Sequence, residues 1–271
     1  EHWIKNFDID GWRMDVAKEL DFSFWKDFRD IAYSAKKDIL LISEIFGDTS
    51  QWLQGERFDG TMNYSFRETM TDYFATKRID NKEFSNSLSN LYSMYSFEAL
   101  SSCQNLLSSH DVKRFLNRCG TNTNGMFGAV FLQATFPGIA GIYYGDEIGL
   151  GGADDPHNRE PFPWESEDKW NKDLLMFTSS LMNIKTSNSI LRYGNFEMAT
   201  YDDNYVIFRR VLNDDSLLCI VNRDLNDTDI ELNTNAHSVE IIYGDCTIEL
   251  DSGKLKIKDL AENFGLIIKE S

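Results

Sequence analysis

Long apolar runs are the first thing this sequence lacks. No stretch approaches the roughly 18 residues that a helix needs to cross a bilayer, so no spanning helix and no membrane partner is expected. Cysteine is scarce and badly placed for pairing. Cys103, Cys119, Cys219 and Cys246 have neither close spacing nor metal-ligand spacing, which excludes a disulfide framework and leaves free thiols as the expectation. The four histidines, His2, His110, His157 and His237, are too scattered for a paired zinc motif, so no transition-metal site is expected. Positive charge is in short supply as well: 27 Lys and Arg stand against 44 Asp and Glu, a net charge of −17. Such a surface repels phosphate backbones and anionic headgroups, so nucleic acid is a poor partner.

What is present is enough apolar material for a sizeable core. The 271 residues are 42% hydrophobic and 13% aromatic, which fits one large domain with a smaller companion. Two stretches organise the chain. In the first, Ile9, Gly11 and Trp12 lead through Arg13 to Asp15; in the second, Ile39 to Ile42 lead through Ser43 to Glu44. A short apolar run that ends in a carboxylate reads as a parallel strand emerging at a pocket. Between them, Phe22, Trp25, Phe28, Ile31, Ala32 and Ala35 recur near helical spacing after Asp21, a good N-cap. A third apolar run leads to His110 and Asp111. An acid at a strand end is also a common N-cap for the next helix, so one such residue alone carries little.

Strands and helices alternate further on. The spacing predicts a weak strand near 58–62, a helix from Asn63, a second helix over about 82–97, a strand ending near Ser108, and an apolar helix stopped by Pro137 and Gly138. AGIYYGDE then reads as a buried strand ending in Asp146 and Glu147, both taken as structural. A loop rich in glycine and proline carries Asp154, Asp155, Asn158 and Arg159; it reads as the rim of a site, with calcium left open. A last helix covers about 168–186. From Arg192 the pattern changes to short alternating runs broken by Asn-Asp and Gly-Asp pairs, the mark of an antiparallel domain.

GWRMDVAKE, ISEIFGD, LLSSHD and IYYGDEIGLGG with DDPHNREPFPW, in this order, resemble the ordered motifs of the alpha-amylase superfamily of glycoside hydrolases. FW after the first motif, WLQGERFDGTMNYSF after the second and LLSSHDVKRF at the third look most like its neopullulanase, cyclomaltodextrinase and maltogenic amylase branch. The resemblance implies α/β architecture: the C-terminal portion of a (β/α)8 TIM barrel, about five of eight strands, followed by a small antiparallel β-sandwich domain. The expected division is 1–188 for the partial catalytic barrel and 189–271 for the sandwich. In family terms the chain begins just before the fourth strand, so a fragment of a longer enzyme is expected.

The resemblance also implies retaining hydrolysis of alpha-glucans, such as maltooligosaccharides, cyclodextrins, pullulan or starch fragments. The alternatives are an alpha-1,6-glucosidase, a trehalose-processing relative or a non-catalytic scaffold. Retention needs a carboxylate nucleophile and a protonated carboxyl ~5 Å apart. Asp15, next to Arg13, is expected to be the nucleophile; Glu44, after an apolar strand and near other acids, is expected to hold the proton it donates. Asp111, the family's third acid, and His110 would bind the sugar, joined by Arg13, Lys18 and Phe46. Lys18 stands where the branch usually has Asn, and Phe46 with Gly47 replace a usual Trp and His, so product preference stays open. No cofactor is required, the partner is an oligosaccharide, a homodimer is an option for the full-length protein, and the default location is cytoplasmic.

Overall fold

A computed structural model describes residues 1–120, 122–260 and 264–271. The chain opens with α1 (His2–Phe7) and β1 (Gly11–Met14), then α2 (Phe22–Ala35), β2 (Leu40–Ser43) and the two-residue β3 (Gly60–Thr61). Helix α2 starts where the Asp21 carboxylate accepts from Ser23 N at 2.8 Å, satisfying a donor that the first turn leaves free. Its inner face is fixed by Trp25, whose indole N–H donates to Ala17 O at 2.7 Å. Strands β1, β2 and β3 form one parallel sheet.

Register decides what this sheet presents. Met14 pairs with Ser43, and Ser43 with Thr61, so the three strands end level. Glu44 N donates to Met14 O at 2.9 Å, carrying the ladder one residue past the strands. Asp15 and Glu44 therefore leave neighbouring strands side by side at their C-terminal ends.

Helix α3 (Tyr64–Met70) runs into a π turn, Thr71–Ala75, and is followed by α4 (Asn81–Ser93), α5 (Phe97–Ser102) and β4 (Gln104–Leu106). The helix expected over about 82–97 ends at Ser93, and a separate helix, α5, begins at Phe97. Asp80 and Glu83 form a reciprocal capping box at the start of α4, and Ser96 caps α5 separately. A parallel bridge between Met62 and Gln104 joins β3 to β4, and β4 pairs in parallel with β5 (Ile139–Gly141). Between them lie α6 (Phe115–Cys119) and α7 (Asn124–Thr135), the latter buried almost all round. The five parallel strands are the C-terminal portion of a (β/α)8 barrel, with helices outside.

The buried strand expected from AGIYYGDE is shorter and more open. Only Ile139–Gly141 is strand, and Ile139 is 40% exposed. Gly145, at φ 88, turns the chain out of extended geometry, and Asp146 and Glu147 lie in a 3-10 turn instead. Asp146 is buried against the equally buried Arg114 at 3.2 Å.

Helices α8 (Lys172–Ser187) and α9 (Ser189–Tyr193) lead to eight antiparallel strands: β6 (Asn195–Tyr201), β7 (Val206–Leu212), β8 (Asp215–Val221), β9 (Ile230–Asn233), β10 (Val239–Tyr243), β11 (Thr247–Asp251), β12 (Lys254–Lys258) and β13 (Gly265–Glu270). They form a five-stranded sheet, β10-β13-β8-β7-β6, and a three-stranded one, β11-β12-β9. Alternation along β7 and β8 sends Ile207, Leu218 and Ile220 between the two sheets, where Leu255 and Ile257 meet them. Val206, Phe208, Leu217 and Cys219 face the other way, into the core shared with the barrel helices.

The join is also polar. Buried Arg210 donates to Thr135 O at 2.6 Å and Gly194 O at 2.7 Å; Lys185 Nζ donates to Ala134 O at 3.1 Å and Phe136 O at 3.2 Å. Arg210 and Lys185 thus supply donors to the carbonyls that the end of α7 leaves free. Among the described residues no helix is long and apolar enough to cross a membrane.

Candidate active site

All seven residues singled out in the sequence meet at the C-terminal rim of the parallel strands. Asp15, Lys18, Glu44, Phe46 and Asp111 line one cavity of about 280 Å³, with Val16 and Ile45. Arg13 links the three acids. One terminal nitrogen of the guanidinium binds Asp15, the other lies 2.5 Å from Glu44 and 3.9 Å from Asp111, and Nε donates to Met62 Sδ at 3.4 Å. His110 Nε2 lies 3.0 Å from Asp111.

The two strand-end acids share a cation but not an environment. The Asp15 side chain is 73% exposed and that of Glu44 only 5%. The hydrogen bond from Arg13 holds the Asp15 carboxyl below its ordinary range. Burial pushes Glu44 above its own, and Asp111 pushes it further, against the opposing pull of the Val16 N–H and Arg13. The arrangement thus sets an accessible carboxyl that gives up its proton more readily beside a sheltered one that holds its proton more strongly.

Phe46 is half-exposed and stacks on Tyr64, ring centroids 3.9 Å apart, while the Tyr64 hydroxyl lies 3.2 Å from Ser109 Oγ. Gly47 follows at φ 84, a conformation that a larger residue adopts only with strain. The result is an apolar face at the cavity mouth, suited to stacking on a sugar ring.

Sequence reasoning did not find three parts of this site. Val16 holds left-handed geometry, φ 46 and ψ 44, and its N–H donates to Glu44 Oε2 at 3.1 Å. Met62 supports Arg13. Arg159, read only as rim, reaches Asp111 at 3.7 Å and bonds Asp155 at 3.1 Å. Each depends on a neighbour from a distant segment, so no local pattern announces it.

One carboxylate oxygen each from Glu44 and Asp111 and a ring nitrogen of His110 lie within 4.8 Å of one another, close enough to share a metal ion. The set suits calcium poorly, because calcium takes six to eight oxygens and here Arg13 already occupies the space between the acids. The loop acids are engaged as well: Asp154 pairs with Lys113 at 3.1 Å and Asp155 with Arg159.

Comparison with known proteins gives this arrangement a context. The model of the alpha-amylase catalytic domain matches residues 1–189. The chain is 38% identical over 271 residues to a cyclomaltodextrinase of Thermoanaerobacter pseudethanolicus, covering 98% of this chain and 44% of that protein. It is 40% identical over 216 residues to neopullulanase 2 of Thermoactinomyces vulgaris, covering 79% and 37%. Among solved structures it superposes on a cyclomaltodextrinase with a TM-score of 0.89 at 30% identity, covering 100% of this chain and 47% of that one. A debranching enzyme of Nostoc punctiforme gives 0.90 at 28% identity, covering 100% and 60%. The chain spans less than half the length of these two curated relatives. With the strand-end acids, their shared arginine and the following sandwich all in place, the chain belongs to the alpha-amylase family of glycoside hydrolases, in the branch of the neopullulanases and cyclomaltodextrinases.

Proposed function

We propose that the protein bearing this segment hydrolyses alpha-glucans with retention of anomeric configuration, using Asp15 as nucleophile and Glu44 as general acid and base. The observation that carries the reading is the single guanidinium of Arg13 bound to both acids, one exposed and ionised, the other buried and shifted towards its protonated form. Adjacent nitrogens of one planar group keep the two carboxyls close, in keeping with the ~5 Å of retaining enzymes rather than the wider gap that admits a water in inverting ones.

In the first step Asp15 attacks the anomeric carbon and the Glu44 proton passes to the departing glycosidic oxygen. In the second, Glu44, now a carboxylate, takes a proton from water as that water attacks the same carbon and releases Asp15. Asp111 and His110, held together at 3.0 Å, would bind hydroxyls of the reacting sugar. Phe46 on Tyr64 would stack on a sugar face, and Lys18 at the cavity wall would meet the acceptor side. The relatives' names span cyclomaltodextrinase, neopullulanase and debranching enzyme, so cyclodextrin, pullulan and branched maltooligosaccharides are the substrates to compare. NMR of the first product anomer is the test: an alpha product supports the reading, and a beta product would refute it.

A further inference from the structure

The turn that carries His110 and Asp111 has little structure of its own. Within it, Val112 N reaches Ser109 O at 3.5 Å and Asp111 N donates to Ser109 Oγ at 3.2 Å. Its carbonyls are held from outside. Asn158, which is fully buried, donates through Nδ2 to His110 O at 2.9 Å and Val112 O at 3.0 Å, with Ser109 O at 3.4 Å. An asparagine serving its own loop would spend these donors locally; this one spends them on a segment more than forty residues earlier, and that segment bears two site residues. Its Oδ1 has no partner among the described residues, so it is the donor side of the amide that the position uses.

Asn158 is itself fixed in place. Arg114 N donates to Gly152 O at 3.1 Å, and Gly152 N donates to Asn117 Oδ1 at 2.6 Å, so the loop is tied at its start to the segment just after the site turn. A Cβ at Gly152 would lie 2.5 Å from His157 O, so the loop backbone packs closely on itself where Asn158 begins.

We propose that Asn158 is the positioning residue for the His110–Asp111 tip, setting where those two side chains stand relative to Glu44 in the reaction proposed above. Two amide hydrogens shared among three converging carbonyls, with Arg159 Nε adding a bond to His110 O at 2.9 Å, hold the turn more tightly than its own bonds do, and the buried amide has no water to replace it. Because Asp111 helps to raise Glu44, displacing the tip also weakens the hold of Glu44 on its proton. The inference rests on the functional reading only for its kinetic consequence.

Two variants test it, Asn158→Ala, which removes the donors, and Asn158→Ser, which keeps one hydroxyl. In the folded Asn158→Ala protein kcat on maltooligosaccharides is expected to fall about a hundredfold, the scale of a ~1 Å misplacement, with KM within about threefold. The alkaline limb of the pH profile moves to lower pH, and Asn158→Ser recovers part of both effects. Independently of activity, the imidazole NMR resonances of His110 shift in Asn158→Ala while those of His2 and His237 stay in place. Unmoved His110 resonances in folded variants, or loss of fold in both variants, would overturn the proposal. Absence of glucan cleavage by the wild-type full-length protein would refute the functional reading instead, and the histidine resonances would still judge the positioning.

Discussion

The backbone N–H of Val16 donates to Glu44 Oε2 at 3.1 Å, and it does so from a left-handed conformation that a β-branched residue adopts only under strain. The turn that follows Asp15 therefore also reaches its neighbour on the next strand. Left-handed geometry costs a non-glycine residue about 1–2 kcal/mol, while glycine at the same place adds back ~0.4–1 kcal/mol of unfolded-chain entropy. Val16→Gly is thus expected to leave stability level or raise it by up to about 1.6 kcal/mol in urea unfolding, and to lower kcat because the turn is less fixed. Clear destabilisation would show that the valine side chain, not the strain, dominates there.

The rate should trace a bell against pH. It rises as Asp15 loses its proton, below the ordinary carboxylate range because of Arg13, and it falls as Glu44 loses its own, above that range because of burial and Asp111. Arg13→Gln should move the acid limb to higher pH. Asp111→Asn, besides lowering the rate, should move the alkaline limb to lower pH. Profiles of kcat/KM for the three proteins check both signs.

Arg210 joins the sandwich to the end of α7 while fully buried. Charged hydrogen bonds contribute roughly 1.5–3 kcal/mol each, and the carbonyls left behind would be unsatisfied. Arg210→Met should cost about 3 kcal/mol in chemical denaturation while leaving the proposed site chemistry, on the opposite rim, intact in the folded fraction.

The five parallel strands form an arc in which β1 and β5 each keep an unpaired edge among the described residues, and a barrel closes such edges. The 271-residue chain by itself is expected to turn over maltooligosaccharides at least about a hundredfold more slowly than a full-length relative, because ~1 Å of misplacement already costs that much. Comparable turnover would mean that the arc holds its site without closure.

Much of this was legible in the sequence because the acids follow apolar runs of strand length and the family motifs occur in order. Asp15 and Glu44 meet where parallel strands ending level must place them. Other features depend on segments that no local window contains. The stack of Phe46 on Tyr64 joins a loop to the first residue of α3, the left-handed Val16 is fixed by a bond to Glu44, and Asn158 acts on a distant turn. AGIYYGDE suggests burial through its apolar residues, but Gly145 turns the chain out of the strand, and Ile139 and Ile142 stand exposed.

The most direct test of the central claim is to trap the glycosyl enzyme. A Glu44→Gln variant given an activated glycosyl fluoride, whose leaving group needs no proton, should form the intermediate but hydrolyse it slowly for want of a base. Mass spectrometry of the digested protein should then find one sugar on the peptide containing Asp15, and none when Asp15→Asn is added. An adduct on another residue, or none at all while the fluoride is still consumed, would contradict the assignment of Asp15 as nucleophile and Glu44 as acid and base.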